Sequence, residues 1–284
     1  MEADPGTRMD NDRLRGEAVK LTDGTQLHVE SYGEEQPALI MLHGGPGGDS
    51  TPFKQIAQNL STDMQVLIYD HRGMGKSGRS TPDKWNLQQW AEDLGELIAD
   101  KQLNRPIVMG QSFGGFVALT YAIQNSGGLS GLILSSTAAR TGRTEAIKAF
   151  EAQGGKPAAA AAASFFDNPT PESWHSYNQA CAHLYNQKPR GLMKLDQEML
   201  LHFQQGERAD WNLSSQLNAI SCPTWIVTGQ NDPITPPQLS EEMAELLGGT
   251  STLTIAEQAG HGIYRDQPEL FYKLLKEFRR NCLK

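Results

Sequence analysis

The stretch that decides the fold is PIVMGQSFGGFVALTYAIQ, residues 106–124. Its first four residues are typical of a buried strand, and the run Phe116–Gln124 is typical of a helix. The turn between them reads G-x-S-x-G from Gly110 to Gly114. Glycine at both ends of such a tight turn leaves room for the backbone to pass, and the serine side chain projects from the turn. A strand, this turn and a helix in that order indicate that Ser112 is a nucleophile.

Short β-rich runs alternate with longer amphipathic segments along most of the chain. This alternation predicts the α/β class, with a mostly parallel sheet covered by helices on both faces. Helices are predicted around residues 87–98 and 270–278, where apolar residues recur at steps of three and four. The strands predicted outside the decisive stretch are Gln26–Ser31, Ala38–Leu42, Gln65–Tyr69, Leu132–Ser135, Trp225–Thr228 and Thr252–Ile255, and within it the strand is centred on Ile107–Met109.

The alternation stops between residues 138 and 213, where the sequence turns helical. We interpret residues 138–213 as a helical cap inserted into an α/β core of residues 17–137 and 214–284. Residues 1–16 mix both charges with Pro and Gly and have no apolar period, which predicts a mobile leader without catalytic residues.

The cap is neutral in formal charge and rich in aromatic residues. It holds eight Lys or Arg, eight Asp or Glu, and eight of the 21 aromatic residues of the chain. This composition predicts a partly apolar substrate pocket. The candidate walls of the pocket are Phe165, Phe166, Trp174 and Trp211.

The overall composition argues against several classes of partner. The 284 residues include 25 Lys or Arg and 33 Asp or Glu, and a net charge of −8 disfavours nucleic acids and anionic membranes. No apolar run approaches the roughly 18 residues of a membrane helix, and the N-terminus lacks the apolar stretch of a signal peptide. The three cysteines are widely spaced, and no cluster has metal-ligand spacing. We therefore expect a cytoplasmic protein with a small-molecule substrate, no metal and no cofactor, and the oligomeric state stays open.

A nucleophilic serine needs a base, and the base needs an acid to orient it. Asp232 follows the predicted strand Trp225–Thr228, so it is the candidate acid. His261 follows the last predicted strand between two glycines, so it is the candidate base.

The segment HGGPGG, residues 43–48, follows another predicted strand and is a candidate oxyanion hole. Acyl transfer develops a negative oxygen, which backbone N–H groups stabilise. We predict that the Gly45 and Phe113 amides supply the pair, with Gly44 as the alternative to Gly45. His43 is interpreted as a structural residue of this loop.

Residues 73–78 match the pattern G-x-G-x-x-G, but a dinucleotide site also needs a helix that begins at these glycines. The chain continues RSTPD at residues 79–83, which is typical of a loop. We therefore do not expect nucleotide binding.

Five features together resemble the α/β-hydrolase superfamily: His43–Gly48, Ser112 in its turn, Asp232, His261 and the motif DHRGMGKS at Asp70–Ser77. The HGGPGG element is most similar to the proline iminopeptidase branch. This resemblance implies an α/β-hydrolase fold, and it implies acidic cap residues that bind the free amino terminus of a substrate. The candidate acids are Glu145, Glu151, Asp167, Glu172, Asp196, Glu198, Glu207 and Asp210.

We therefore interpret the chain as a serine hydrolase that cleaves an ester or amide bond of a small substrate through an acyl-enzyme. Because the cap is neutral and aromatic, an esterase or lactonase is favoured over an aminopeptidase of the iminopeptidase type. The fold also permits a lyase that uses the same triad and a receptor that only binds its ligand.

Overall fold

The computed structural model describes residues 16–125, 127–188 and 194–283. The predicted leader therefore lies outside the described residues, apart from Gly16, which is the first residue of a strand. The strands are β1 (Gly16–Lys20), β2 (Gln26–Tyr32), β3 (Leu39–Leu42), β4 (Val66–Tyr69), β5 (Ile107–Gln111), β6 (Gly131–Ser135), β7 (Thr224–Gly229) and β8 (Ser251–Ala256).

These eight strands form one sheet in the order β1-β2-β4-β3-β5-β6-β7-β8. The pairs β1–β2 and β2–β4 are antiparallel, and every other pair is parallel. The predicted mostly parallel sheet is confirmed, and each predicted strand is present within one or two residues of its predicted ends. Strand β1 was not predicted.

Helices cover both faces of the sheet. Alternate residues of β3 show this, because Ile40 and Leu42 pack in one core cluster while Leu39 and Met41 pack in the other. The α-helices are α1 (Lys54–Leu60), α2 (Leu87–Asp100), α3 (Phe113–Gln124), α4 (Arg143–Asp167), α5 (Pro171–Cys181), α6 (Gln197–Gln205), α7 (Pro237–Leu247), α8 (Ile263–Asp266) and α9 (Pro268–Cys282). In these parts of the chain, no helix is both long and apolar enough to cross a membrane.

Helices α4, α5 and α6 lie between β6 and β7, in the segment predicted to be a cap. A break in α4 occurs at Gly155, whose φ of +68° favours glycine. The two ends of the segment meet, since Thr141 N–H donates to the Trp211 carbonyl at 3.0 Å and Leu213 N–H donates to the Ala139 carbonyl at 2.7 Å. We keep the division into core and cap as a proposal, which the meeting of these ends supports.

A buried ion pair fastens the loop after β4 to α2. The Arg72 side chain is fully buried, and its Nε and Nη2 donate to Asp93 at 2.8 and 2.6 Å. Its Nη1 donates to Thr25 at 2.7 Å and forms a second ion pair with Asp23. The Trp90 indole N–H donates to the Arg72 carbonyl at 3.1 Å. Arg72 therefore fixes the loop after β4, which contacts the candidate oxyanion loop.

We expect Asp93→Ala to lower the free energy of unfolding by about 3–5 kcal/mol, because it leaves the buried Arg72 guanidinium without its bidentate partner. The measurement is equilibrium unfolding in urea, with Asp63→Ala as a control that removes an exposed ion pair to Lys276. A loss below about 1 kcal/mol would mean that the Asp23 contact is sufficient to hold Arg72.

Candidate active site

Ser112 occupies a strained turn between β5 and α3. Its φ and ψ are 54° and −118°, a backbone conformation that residues other than glycine rarely adopt. A Cβ at Gly114 would overlap the Leu42 carbonyl oxygen, and one at Gly110 would overlap the Gly114 carbonyl oxygen. The two glycines therefore permit the close packing that the turn needs, and the half-buried Ser112 side chain faces a cavity.

His261 and Asp232 form a buried hydrogen-bonded pair. The His261 Nδ1 atom lies 2.9 and 3.1 Å from the two Asp232 carboxylate oxygens. The carboxylate also accepts hydrogen bonds from the Ile234 and Thr235 amides and the Thr235 hydroxyl, at 2.9–3.0 Å. These bonds fix the orientation of the carboxylate, so Nδ1 donates to it and the Nε2 atom of the imidazole is left for the cavity side.

The three predicted residues come from the same edge of the sheet. Ser112 follows β5, Asp232 follows β7, and His261 follows β8. Because β5 to β8 are parallel, their carboxyl ends lie along one edge, where ligands of open α/β sheets bind. Ser112 and His261 both line one cavity of about 420 Å³ there.

The candidate oxyanion loop lies against the nucleophile. A Cβ at Gly44 would lie 3.2 Å from the Ser112 Cβ, and both Gly44 and Gly45 line the cavity. Phe113 is the first residue of α3, where the helix dipole is positive. Within the described residues, the Gly45 and Phe113 amides donate no hydrogen bond, so both are available to an oxyanion.

His43 and His71 are buried next to each other, with ring centroids 4.4 Å apart, and both contact this loop. The His71 N–H donates to His43 Nε2 at 3.1 Å, and His43 Nδ1 donates to the Gly44 carbonyl at 2.8 Å. Burial lowers the pKa of His43, and burial beside His43 lowers the pKa of His71 well below its ordinary value. These contacts hold the loop, which is the structural role predicted for His43.

Asp70, the first residue of the motif DHRGMGKS, bonds the chain just after the candidate oxyanion loop. One Asp70 carboxylate oxygen accepts the amide and hydroxyl of Ser50 at 2.8 and 2.6 Å, and the other accepts the Lys76 amide at 2.8 Å. Residues 73–78 form turns, and no α-helix begins at them.

Aromatic residues of the cap segment form one wall of the cavity. Phe165, Phe166 and Trp174, three of the predicted pocket residues, line it together with Tyr177. Trp211 does not line it, which corrects the prediction for this residue. Its ring lies 4.2 Å from the ring of Phe116 on α3, because the chain has by then returned to the core.

None of the eight candidate acids of the cap lines the cavity. Glu145 pairs with Arg140, Asp167 with Arg143, and both Asp196 and Glu198 with Arg79. Glu207 accepts the Leu87 amide at 2.7 Å. The other three, Glu151, Glu172 and Asp210, are exposed. Among the described residues of the lining, the one carboxylate is Asp49, which is exposed and accepts the Thr51 amide at 2.9 Å.

The segment at the end of α5 contacts the loop of the candidate base, which the sequence analysis did not predict. The His261 N–H donates to the Tyr185 carbonyl at 2.6 Å, and the Asn186 side-chain amide donates to the His261 carbonyl at 3.1 Å. The Tyr185 ring packs edge-on against the imidazole with centroids 5.3 Å apart. Its hydroxyl lies 2.5 Å from the Tyr177 hydroxyl, and burial raises the pKa of Tyr177 well above its ordinary value.

Two cationic residues of the cavity were also missed, Lys194 and Arg265. The signal available for Arg265 was its place four residues after His261. Its side chain lines this cavity and a second one of about 460 Å³, which lies between α1 and the first turns of α9.

The sheet, the covering helices and this cavity are those of an α/β-hydrolase enzyme. The family described as "Serine aminopeptidase, S33" matches residues 33–268, and the chain belongs to this family.

Relatives in the family carry names of several hydrolase activities. A putative carbamate hydrolase, RutD, of Rhizobium rhizogenes is 26% identical over 89% of this chain and 98% of its own length. The proline iminopeptidase PfmaB of Pestalotiopsis fici is 27% identical over 89% and 96%. A solved thermophilic esterase from Thermogutta terrifontis is 26% identical, with a TM-score of 0.70 over 94% of this chain and 99% of its own. Membership in the family therefore establishes hydrolase chemistry for the chain, and its substrate is a separate question.

Proposed function

We propose that this chain is a serine hydrolase whose triad is Ser112, Asp232 and His261 and whose substrate is a small ester or lactone. The observation that carries the proposal is the buried Asp232–His261 hydrogen bond beside the cavity that Ser112 faces from its strained turn. The free state of all three cysteines fits the cytoplasmic location that the sequence predicts.

In the first half of the reaction, His261 Nε2 takes the proton of the Ser112 hydroxyl as the oxygen attacks the substrate carbonyl carbon. Asp232 holds the Nδ1 tautomer and stabilises the imidazolium that forms. The Gly45 and Phe113 amides, with Gly44 as the alternative to Gly45, donate to the tetrahedral oxyanion. His261 then gives its proton to the leaving oxygen, and the acyl–oxygen bond breaks.

In the second half, water attacks the acyl-enzyme and His261 takes a proton from it. The same amides stabilise the second oxyanion. Collapse of this intermediate releases the carboxylic acid and returns the proton to Ser112. The net reaction adds one water across the ester bond.

The cavity favours an ester over a peptide with a free amino terminus. A protonated amine in a partly buried site requires a carboxylate, since an unpaired buried charge costs several kcal/mol. The cap acids are paired, used as caps or exposed, and none lines the cavity. Apolar groups require only hydrophobic walls, at about 25 cal/mol per Å² buried, and Phe165, Phe166 and Trp174 provide them.

We expect kcat/KM for p-nitrophenyl butyrate to exceed that for proline p-nitroanilide by more than about tenfold at neutral pH, because none of the candidate cap acids lines the cavity and the one carboxylate of the described lining, Asp49, is exposed. The measurement is initial-rate kinetics with both chromogenic substrates. A preference of tenfold or more for the prolyl amide would contradict the esterase proposal.

A proline iminopeptidase is the second candidate, since PfmaB carries that name. Asp49 is then the residue to test, as the one carboxylate among the described residues of the lining. A prolyl-amide preference that Asp49→Asn abolishes, while Glu151→Gln on the exposed side of α4 leaves it unchanged, would establish this candidate. Product analysis in labelled water separates both hydrolases from a lyase, and the absence of turnover on any substrate would favour a receptor.

A further inference from the structure

Arg265 stands at the junction of two cavities. It lies on α8, four residues beyond His261, and lines both the cavity of Ser112 and the second cavity. Pro52 and Tyr264 are the other two residues that line both. The guanidinium is therefore exposed to any substrate group that extends from Ser112 toward this opening.

The Arg265 side chain is held in place without a carboxylate. Its Nε donates to the Tyr264 hydroxyl at 3.0 Å, and its guanidinium carbon lies 5.3 Å from the centre of that ring. In residues 16–125, 127–188 and 194–283, the Nη1 and Nη2 groups have no hydrogen-bond partner and no acid lies within 4.0 Å.

Some other arginines of the protein are held by acids. Arg72, Arg79 and Arg140 each pair with two carboxylates. Five described arginines form no ion pair with a described acid: Arg105, Arg208, Arg265, Arg279 and Arg280. Among these five, Arg265 is the one that lines the cavity of Ser112. The contacts with Tyr264 orient the Arg265 side chain. They leave its two terminal amino groups, Nη1 and Nη2, without a hydrogen-bond partner among the described residues.

The charges around the cavity favour an anionic ligand. Its charged lining residues are Lys194, Arg265 and Asp49, and the described lining thus holds two cations and one acid. Glu269 lines the second cavity and is exposed. Asp266, next to Arg265 in sequence, is directed elsewhere, since its Oδ2 accepts the Gly260 amide at 2.8 Å.

We infer that Arg265 binds a carboxylate of the substrate, so that the preferred substrate is an ester or lactone with one free carboxylate group. A guanidinium donates two parallel hydrogen bonds to a carboxylate, which gives both affinity and orientation. The inference rests on the proposed ester hydrolysis at Ser112. It adds that the aromatic wall receives the apolar part of the substrate while Arg265 fixes its charged end.

The test compares esters with and without a carboxylate. One pair is the p-nitrophenyl monoester of adipate against p-nitrophenyl hexanoate, which places the carboxylate on the acyl side. The other pair is p-nitrophenyl acetate against its analogue with a carboxylate on the nitrophenyl ring, which places it on the leaving group. The quantity measured is the ratio of kcat/KM values, charged over neutral, within each pair.

In the wild-type protein we expect this ratio to exceed about ten in at least one pair, and Arg265→Gln to lower it by about 10- to 100-fold, as for other hydrogen bonds between charged groups. Arg265→Lys keeps the charge without the fork and is expected to fall between the two. Arg280→Gln, which removes an exposed arginine of α9 outside both cavities, is the matched control and should leave the ratio unchanged.

A ratio near one in the wild-type protein, or a ratio that Arg265→Gln does not change, would overturn the inference. Loss of the preference in Lys194→Gln alone would overturn it as well, in favour of that lysine. These outcomes differ from failure of the proposed function, which would appear as hydrolysis of the neutral esters that persists in Ser112→Ala.

Discussion

Ser112→Ala is expected to lower kcat by about 10⁴- to 10⁶-fold on any substrate of this enzyme, since it removes the oxygen on which the proposed acyl-enzyme forms. The fold should be retained, because the substitution removes only the hydroxyl of a half-buried side chain. The first measurement is turnover of p-nitrophenyl butyrate. The second is labelling by a fluorophosphonate, which should modify the wild-type protein and leave the variant unmodified.

Ser61→Ala is the matched control for this prediction. Ser61 caps the end of α1, where its hydroxyl donates to the Gln58 carbonyl at 2.7 Å, and it lies outside the cavity. We expect it to retain both turnover and labelling. If Ser112→Ala keeps more than a tenth of the wild-type turnover, Ser112 is not the nucleophile.

Asp232→Asn is expected to lower kcat by about 10⁴-fold, the loss seen when the acid of a well-studied triad becomes an amide. The amide keeps the size of the side chain, but it can donate toward Nδ1 and so stabilise the wrong tautomer of His261. It also removes the negative charge that stabilises the imidazolium. The measurement is steady-state turnover of the same ester.

Asp63→Asn, at an exposed ion pair with Lys276, controls for the general effect of removing an acid. The contrary outcome has a definite candidate. Asp266 contacts the same loop through the Gly260 amide and the side chain of Asn186. Near-normal turnover in Asp232→Asn, combined with a large loss in Asp266→Asn, would move the role of acid to Asp266.

The strands could be predicted because most consist largely of apolar residues, as in β3, β5 and β7, whose residues are all buried. Strand β1 could not be predicted in this way. Only Val19 of its five residues is buried, and it pairs with β2 alone at the edge of the sheet. The sequence GEAVK has little apolar content to mark such an edge strand, so the strand was not recognised.

Within the site, local sequence motifs predicted which loops carry the candidate residues. They did not predict the tertiary contacts that these loops make. Glycines around Ser112 and His261 mark tight turns in any context, so these positions were accessible to sequence reasoning. Trp211 was assigned to the cavity on the aromatic composition of its segment. Composition does not show which way a side chain points, and Trp211 packs on Phe116 instead. The sequence does not distinguish Arg72 from Arg265. Only the fold shows that Arg72 is paired with two acids, whereas Arg265 forms no ion pair with any described acid.

The contact of Tyr185 and Asn186 with the loop of His261 has a consequence for engineering and for divergence within the family. The segment that shapes the aromatic wall also supplies a carbonyl to the His261 amide and leaves no space for a side chain at Gly260. A chimera that takes the proposed cap from a relative to acquire new specificity would also replace the contacts that support His261, the proposed base. Grafts that retain residues 185–186 should therefore keep their turnover, whereas full replacements should lose it. Substitutions at these two positions are constrained by their contacts with the His261 loop as well as by packing.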